Sequence, residues 1–308
     1  MAATLTETGT WFRLREYENC AGLKVAKDEA ALPATTVGRG YRELRFLGCT
    51  GLSNTAKEAP HIDGVTLNSD YRRGEYSDAL NENTIVYPEG YIPRTARVYS
   101  SYRREQFLNS GATQWQKENT DVGVLSATIS TYFRAAQYAG SKVSIPDGAK
   151  KSDPVLKTSN SVGSSVISRY RENQFQNCVN VIRTLREFQT GTVETNYRWS
   201  NYEQGMYSGC VNLETMHPEF ILTTGTIIGS GTIYQENYMT NKFEGCVSLS
   251  PAAAVSNPEG SNVDYSRSTN FRSNMFLNSA LDAGNPAQYL DGSSVVAGEN
   301  NMPLNIYG

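Results

Sequence analysis

A degenerate repeat of about 30 residues, present nine times, constrains the fold of this chain more than any other feature. Each copy begins with Phe or Tyr and has a second Phe or Tyr five residues later. A Gly, Asn or Asp lies two residues beyond that, and a small residue follows it, as in YRENQFQNC from Tyr170. Successive copies start 29 to 37 residues apart. Such a period predicts stacked units rather than one or two ordinary globular domains.

Two aromatic columns run through all nine units without a break. The first aromatic column consists of Phe12, Tyr41, Tyr71, Tyr102, Phe133, Tyr170, Tyr202, Tyr238 and Phe271. The second aromatic column consists of Tyr17, Phe46, Tyr76, Phe107, Tyr138, Phe175, Tyr207, Phe243 and Phe276. Together they use 18 of the 29 Phe and Tyr residues. Because one unit cannot bury two rings alone, we expect the rings of successive units to stack into a continuous core.

The two columns that follow predict how each unit turns. The third column contains only Gly, Asn or Asp, which enter left-handed backbone geometry at the lowest cost. Such a residue after a helical stretch is typical of a helix C-terminus, so each unit is predicted to open with a short helix or helical turn. The small column that comes next is Cys20, Cys49, Ala79, Ser110, Ser141, Cys178, Cys210, Cys246 and Ser279.

The five cysteines all belong to the small column, and their spacing does not suggest a metal site. Zinc sites need closely spaced Cys or Cys and His clusters, whereas these cysteines are 29, 129, 32 and 36 residues apart. We interpret them as buried small hydrophobic residues, and this also explains their exchange with Ala and Ser. We predict neither a metal nor any other cofactor.

The remainder of each unit is rich in Thr, Ser and Val, as in residues 227–233, and is interpreted as short strands and turns. The predicted fold class is a repeat solenoid of about nine units, each with a short β-strand and a helical turn. We expect an N-terminal cap or arm over 1–11, the solenoid over 12–290, and a C-terminal cap or tail over 291–308.

Several units resemble a known repeat family. The segments 31–54, 206–220 and 242–251 contain FLGCTGL, MYSGCVNL and KFEGCVSL. They resemble the BspA-like leucine-rich repeats of bacterial surface proteins, over about 12–290 and most specifically in units 2, 6, 7 and 8. Units 3 to 5 and 9 depart from that pattern, with Ala or Ser in place of Cys. The resemblance implies a leucine-rich-repeat-like solenoid and a role in adhesion or surface display. Similar repeats are found in phage virion proteins.

Candidate catalytic residues are few. The only histidines, His61 and His217, both lie beside proline, and no pair of carboxylates recurs in a way that marks a site. The glycine-rich segment 225–231 lacks the Lys-Ser/Thr of a phosphate-binding loop and is interpreted as a turn between units. The chain is therefore predicted not to be an enzyme.

An arginine follows the first aromatic residue in seven units. These residues are Arg13, Arg42, Arg72, Arg103, Arg134, Arg171 and Arg272. They could form a basic stripe for an anionic ligand, or a solvated helical face whose stems cover the aromatic rings. The second interpretation is favoured because the net charge is −3 and acids are close by, namely Glu16, Glu43, Glu75, Glu105 and Glu172. No nucleic-acid partner is expected.

Two irregular segments are candidate binding loops. The insertion within 144–168 contains Lys150 and Lys151, and insertions in solenoids often lie on the binding face. The segment 87–99 contains Tyr87 and Tyr91, whose rings suit contact with sugar or protein. A surface loop without a ligand and local packing are the alternatives.

These features together predict a non-enzymatic structural or recognition protein. The N-terminus lacks the basic and apolar regions of a signal peptide, and no stretch is apolar enough for a membrane span. We therefore expect a phage virion component (fibre, tail or capsid-associated) that binds other protein chains, including copies of itself, or a surface glycan. The alternatives are a bacterial cell-surface adhesin module and a polysaccharide-degrading β-solenoid enzyme, which would need clustered Asp, Arg or Lys on adjacent units.

Overall fold

A computed structural model of the chain gives the arrangement of the units. It describes residues 8–28, 35–57, 64–81, 84–87, 97–115, 128–129, 131–147, 149, 166–169, 171–185, 198–200, 203–215, 234–236, 240–249 and 277–280. The predicted terminal segments 1–11 and 291–308 lie outside these ranges, apart from residues 8–11.

A short strand precedes the first aromatic residue of each unit from the second to the eighth. The strands are β1 (Thr36–Val37), β2 (Thr66–Leu67), β3 (Arg97–Val98), β4 (Thr128–Ile129), β5 (Val166–Ser168), β6 (Arg198–Ser200) and β7 (Tyr234–Glu236). They form two parallel sheets in chain order, β1-β2-β3-β4 and β5-β6-β7. In the first sheet Val37 is paired with Leu67, and Leu67 with Val98, so apolar residues of successive units face the core together.

The segment between the two aromatic residues is a run of turns, and no α-helix is formed in the described part of the chain. The third column has the predicted left-handed geometry, because all nine members have φ between 49° and 72°. However, the described members of the arginine column are also left-handed, with φ between 50° and 58°. Since an α-helix needs negative φ at every residue, this alternation replaces the expected short helix with turns.

Alternating backbone geometry directs hydrogen bonds from one unit to the next. In unit 3 the N–H groups of Gly74, Tyr76 and Asp78 donate forward to three carbonyls of unit 4, each at 2.8 Å. The same three positions donate forward in each of units 1 to 7. Backbone groups that would close helical turns are therefore used to join neighbouring units.

The aromatic columns form two stacks of nearly parallel rings. In the first column the rings of units 1 to 5 stack with centroids 5.1–5.5 Å apart. In the second column the rings of units 1 to 8 stack with centroids 5.1–5.7 Å apart. The column members outside the described residues are Tyr170, Tyr202, Tyr238, Phe271 and Phe276. These distances lie in the range in which aromatic pairs add about 0.5–1.5 kcal/mol beyond the burial of their surface.

Candidate functional site

The arginine column lies inside the stack of units, so the prediction of a solvated face is wrong. Its members in units 2 to 6, from Arg42 to Arg171, are each at most 2% exposed. The guanidinium carbons of Arg103 and Arg134 lie 5.3 Å from the ring centroids of Tyr102 and Phe133. The prediction assumed helical periodicity, which does not apply to a turn whose residues alternate in handedness. Only Arg13 of unit 1 is partly exposed, and Arg272 lies outside the described residues.

A second inner position, the residue just before the second aromatic residue, is polar and buried in units 2 to 6 and 8. Together with the buried residues that directly follow the first aromatic residue, these side chains form what we call the buried polar row. The amide of Gln174 donates to the side-chain oxygen of Gln137, and that of Gln137 donates to Gln106, both at 3.0 Å. Gln106 in turn donates to the Glu75 carboxylate at 3.3 Å. The arginines of these units bond to the same side chains, for example Arg171 to Gln174 at 3.0 Å. The row thus links units 3 to 6 through their interior.

Glu75 is the buried anion of this row in unit 3. Its carboxylate lies 2.6 Å from Nη2 of Arg42 and 2.5 Å from Nε of Arg72, and all three side chains are at most 2% exposed. Burial alone would raise the pKa of Glu75, but the two guanidinium groups outweigh burial and lower it. Burial, followed by the charge of Glu75, raises the pKa of the neighbouring Tyr76 to about 12. Both groups therefore keep one protonation state at neutral pH.

The buried polar row reverses its charges in units 7 and 8. Glu203 takes the arginine position of unit 7, and Lys242 takes the position before the second aromatic residue of unit 8. Their side chains are fully buried and form an ion pair at 2.8 Å. Sequence reasoning missed this pair and the hydrogen-bonded series of Gln106, Gln137 and Gln174, which we call the glutamine ladder. The available signal was the identity of the residue before the second aromatic, which is Gln in three consecutive units.

The small column places most of its cysteines against the preceding unit. The thiols of Cys178, Cys210 and Cys246 donate to the carbonyls of the second aromatic residues one unit earlier, at 2.9, 3.0 and 3.2 Å. Burial raises the pKa of Cys178 and Cys246 to about 12 and that of Cys210 well above its usual value. Cys49 makes the same contact with the carbonyl of Tyr17.

The interpretation that all five cysteines are buried is wrong for Cys20. This residue is exposed, while Cys49, Cys178, Cys210 and Cys246 are buried. Within the described ranges, no unit packs against this side of Cys20 to supply the carbonyl that its buried counterparts contact.

Only one of the four candidate loop residues can be placed. Tyr87 is partly buried, its N–H donates to Oγ1 of Thr55 at 3.0 Å, and Nζ of Lys57 lies 4.9 Å from its ring centroid. Tyr91, Lys150 and Lys151 lie outside the described residues, as do both histidines and the segments 225–231 and 227–233. The position of Tyr87 is therefore the one that the described residues give for the candidate loops.

The acidic residues predicted to neutralise the arginine column pair with it only in part. Glu75 and Glu16 contact members of the column, Glu16 through Arg13 at 3.1 Å. Glu43 and Glu105 pair instead with Arg73, at 3.3 and 3.7 Å. Burial, together with the nearby carboxylate of Asp70, raises the pKa of Glu43. Glu172 pairs with Arg169 at 3.3 Å.

In units 6 to 8 of the described chain, an apolar residue recurs on the outer surface. Val179, Val211 and Val247 occupy the position after the small column in units 6, 7 and 8, and are 46%, 39% and 58% exposed. The next residue, Asn212, donates from its side chain to the carbonyl of Val179 at 2.8 Å. Hydrogen bonding between units 6 and 7 therefore extends from the interior to the surface at this position.

Searches of protein-family models, curated proteins and solved structures found no match to the chain. Within the described ranges, no group of three or more His, Cys, Asp or Glu side chains could hold a metal ion. In the same ranges, no helix is long and apolar enough to cross a membrane.

Proposed function

We propose that residues 12–290 form a leucine-rich-repeat-like solenoid and that the chain is a non-enzymatic structural and recognition component of a phage particle. The observation that carries the proposal is the burial of the polar row. Glu75, Gln106 and Gln137 are fully buried and bond to neighbours in adjacent units. The ionisable and amide side chains that repeat most regularly therefore hold units together, as expected of a scaffold.

The shape expected from the repeat also suits assembly. Nine units separated by the spacing of parallel strands would give a body roughly 40 Å long, with two ends and extended side faces. We propose that the ends contact other chains of the particle and that loops such as the one at Tyr87 contact a host surface or its glycans. The resemblance to BspA-like repeats and to those of phage virion proteins supports this location.

Mass spectrometry of gradient-purified particles of the encoding phage tests the proposal. We expect peptides of this chain at a fixed ratio to the major capsid protein. A matched preparation from uninfected cells is the control and should lack them. If the chain is absent from particles, the virion role is wrong. Recovery of its peptides by protease treatment of intact bacterial cells would instead support an adhesin module.

The non-enzymatic part of the proposal is tested separately. The purified chain is incubated with surface polysaccharides of the host, and released oligosaccharides are measured by chromatography. We expect the same signal as with heat-denatured protein. Release of defined products by the native chain alone would show a polysaccharide-degrading enzyme.

A further inference from the structure

The aromatic columns do not distinguish one unit from another, whereas the buried polar row does. Every unit has Phe or Tyr at both ring positions, so the rings alone allow any two units to stack. In degenerate repeats such similarity permits what we call unit skipping, in which a unit packs on the one two places before it and the unit between them is left out of the stack. A buried feature that differs between units disfavours this arrangement.

Two contacts of the row have the same geometry and opposite charges. In both, the residue before the second aromatic residue of one unit meets the residue after the first aromatic residue of the preceding unit. Glu75 of unit 3 lies 2.6 Å from Arg42 of unit 2, and Lys242 of unit 8 lies 2.8 Å from Glu203 of unit 7. All four side chains are at most 2% exposed. The buried charge of each of these units thus matches the unit directly before it.

Unit 8 shows which charges unit skipping would bring together. If unit 7 were left out, Lys242 would lie against Arg171, the fully buried residue of unit 6 at the position of Glu203. The other row position of unit 6 is the neutral Gln174, so the row of that unit has no carboxylate to offset two cations. Because a buried charge without compensation is strongly destabilising, the skipped arrangement is disfavoured.

The contact between units 1 and 2 supports this reasoning. The corresponding positions there are both arginine, Arg13 and Arg45. The carboxylate of Glu16 contacts the two guanidinium groups, at 3.1 and 2.7 Å. Two cations thus occur at these positions together with a carboxylate that pairs with both.

We propose that the buried polar row selects which unit packs on which, and that the Glu203–Lys242 pair keeps unit 8 on unit 7 rather than on unit 6. The row then does more than stabilise the stack, because it penalises a wrong order of units. Units 4 to 6 carry the same pair, arginine and glutamine, so the row does not distinguish among them. Selection therefore acts on either side of the glutamine ladder, where Glu75 and Glu203 bring negative charge into the row.

Disulfide trapping at the surface reports the order of units. Val179, Val211 and Val247 occupy equivalent positions in units 6, 7 and 8 and are all exposed. The variant Val211→Cys/Val247→Cys places two thiols one unit apart, and the stacked rings of those units are 5.7 Å apart. The variant Val179→Cys/Val247→Cys places them two units apart. Since a disulfide needs Cα atoms within roughly 7 Å of each other, the first variant reports the native order and the second reports skipping of unit 7.

Both variants are made in the full chain with its native cysteines replaced by Ala or Ser, which already occupy the small column in units 3 to 5 and 9. Each protein is unfolded, refolded under reducing conditions and mildly oxidised, and disulfides within the monomer are measured by mass spectrometry. With the native row we expect the 211–247 disulfide, and a yield of the 179–247 disulfide about tenfold or more lower. Equal yields would overturn the proposal.

The substitution Lys242→Glu separates selection from stabilisation. It opposes two carboxylates in the native order, whereas in the skipped order the new carboxylate meets Arg171 as Glu75 meets Arg42. We expect the yield of the 179–247 disulfide to rise by about tenfold or more and that of the 211–247 disulfide to fall. Adding Glu203→Arg restores an attractive pair to the native order and should restore the 211–247 disulfide. A folded Lys242→Glu protein without the 179–247 disulfide would show that the pair only stabilises the stack.

The variant Glu203→Met/Lys242→Met provides the test if Lys242→Glu does not fold. Met206 is already fully buried in unit 7, so an apolar pair suits this environment. Without the charges the row no longer penalises the contact of unit 8 with unit 6, and we expect a several-fold rise in the 179–247 disulfide. A folded apolar variant that forms the 211–247 disulfide alone would contradict the proposal.

Discussion

At three places in the third column an asparagine of one unit lies over a glycine of the next. A Cβ added at Gly48, Gly140 or Gly209 would come within 2.1–2.3 Å of the side-chain oxygen of the asparagine in the preceding unit. The same glycines have φ between 68° and 72°. Residues of the third column must therefore adopt a left-handed backbone in every unit. At these three glycines the residue must also lack a side chain, because the asparagine of the preceding unit fills the space.

The substitution Gly140→Ala separates these requirements. We expect a loss of about 1–2 kcal/mol in the free energy of unfolding from the left-handed backbone alone, and more from the contact with Asn109. Urea unfolding followed by circular dichroism measures it. The double variant with Asn109→Gly removes the contact, keeps a residue suited to left-handed geometry at 109, and should recover only the second part. A fully stable Gly140→Ala protein would contradict the left-handed geometry.

At the scale of the element, the stacked rings form the most continuous contact. Phe175 is fully buried, with the rings of Tyr138 and Tyr207 each 5.4 Å away. Replacing Phe175 by Ala should lower the free energy of unfolding by about 3–5 kcal/mol, because a cavity opens between two rings. The control Tyr99→Ala, at a residue 45% exposed, should change it little. A loss below about 1 kcal/mol would show that the second aromatic column is not core.

The glutamine ladder permits a similar test on polar contacts. Gln137→Leu preserves much of the side-chain volume. It removes one of the two donors to the Gln106 oxygen and the acceptor that Gln174 and Arg134 share. Each buried group left without a partner costs about 1–3 kcal/mol, so the variant should be destabilised despite its greater hydrophobicity. Chemical unfolding compares it with Gln114→Leu, a change at an exposed glutamine. Equal stability of the two variants would contradict the ladder.

The repeat made some of these elements predictable and left others hidden. The ring columns and the left-handed third column follow from residue types that recur in every unit, whatever the local backbone. The inward orientation of the Arg72 and Arg103 side chains does not follow from residue types. It depends on alternating signs of φ, which hydrophobic periodicity does not encode. A helical model places such residues in water, whereas the structure buries them beside Glu75 and Gln106. Cys20, which is exposed, shows that the first of the nine units departs from its column.

At the scale of the whole molecule, the buried thiols predict sensitivity to alkali. In the folded state, burial raises the pKa of Cys178 and Cys246 to about 12, above the usual value of 9.0. Their contribution to stability is therefore complete below the unfolded pKa, about 9, and is lost as pH rises through about 12. We expect the free energy of unfolding to fall across this window.

A variant with Ala at Cys178, Cys210 and Cys246 should show a shallower fall, since Ala79 already occupies this column in unit 3. The measurement is urea unfolding at a series of pH values. The control Cys20→Ala changes an exposed thiol and should keep the slope of the unmodified chain. An unchanged slope in the triple variant would mean that the buried thiols do not govern this response.

Forward donation of hydrogen bonds also has a consequence for the order of events during synthesis. The N–H groups of Arg15, Tyr17 and Asn19 donate to carbonyls of unit 2, which leaves the ribosome later. Each unit can therefore complete its hydrogen bonds only after the next unit has been synthesised, and the next unit folds against it. Chains arrested at unit boundaries should gain protease resistance one unit behind the last residue released.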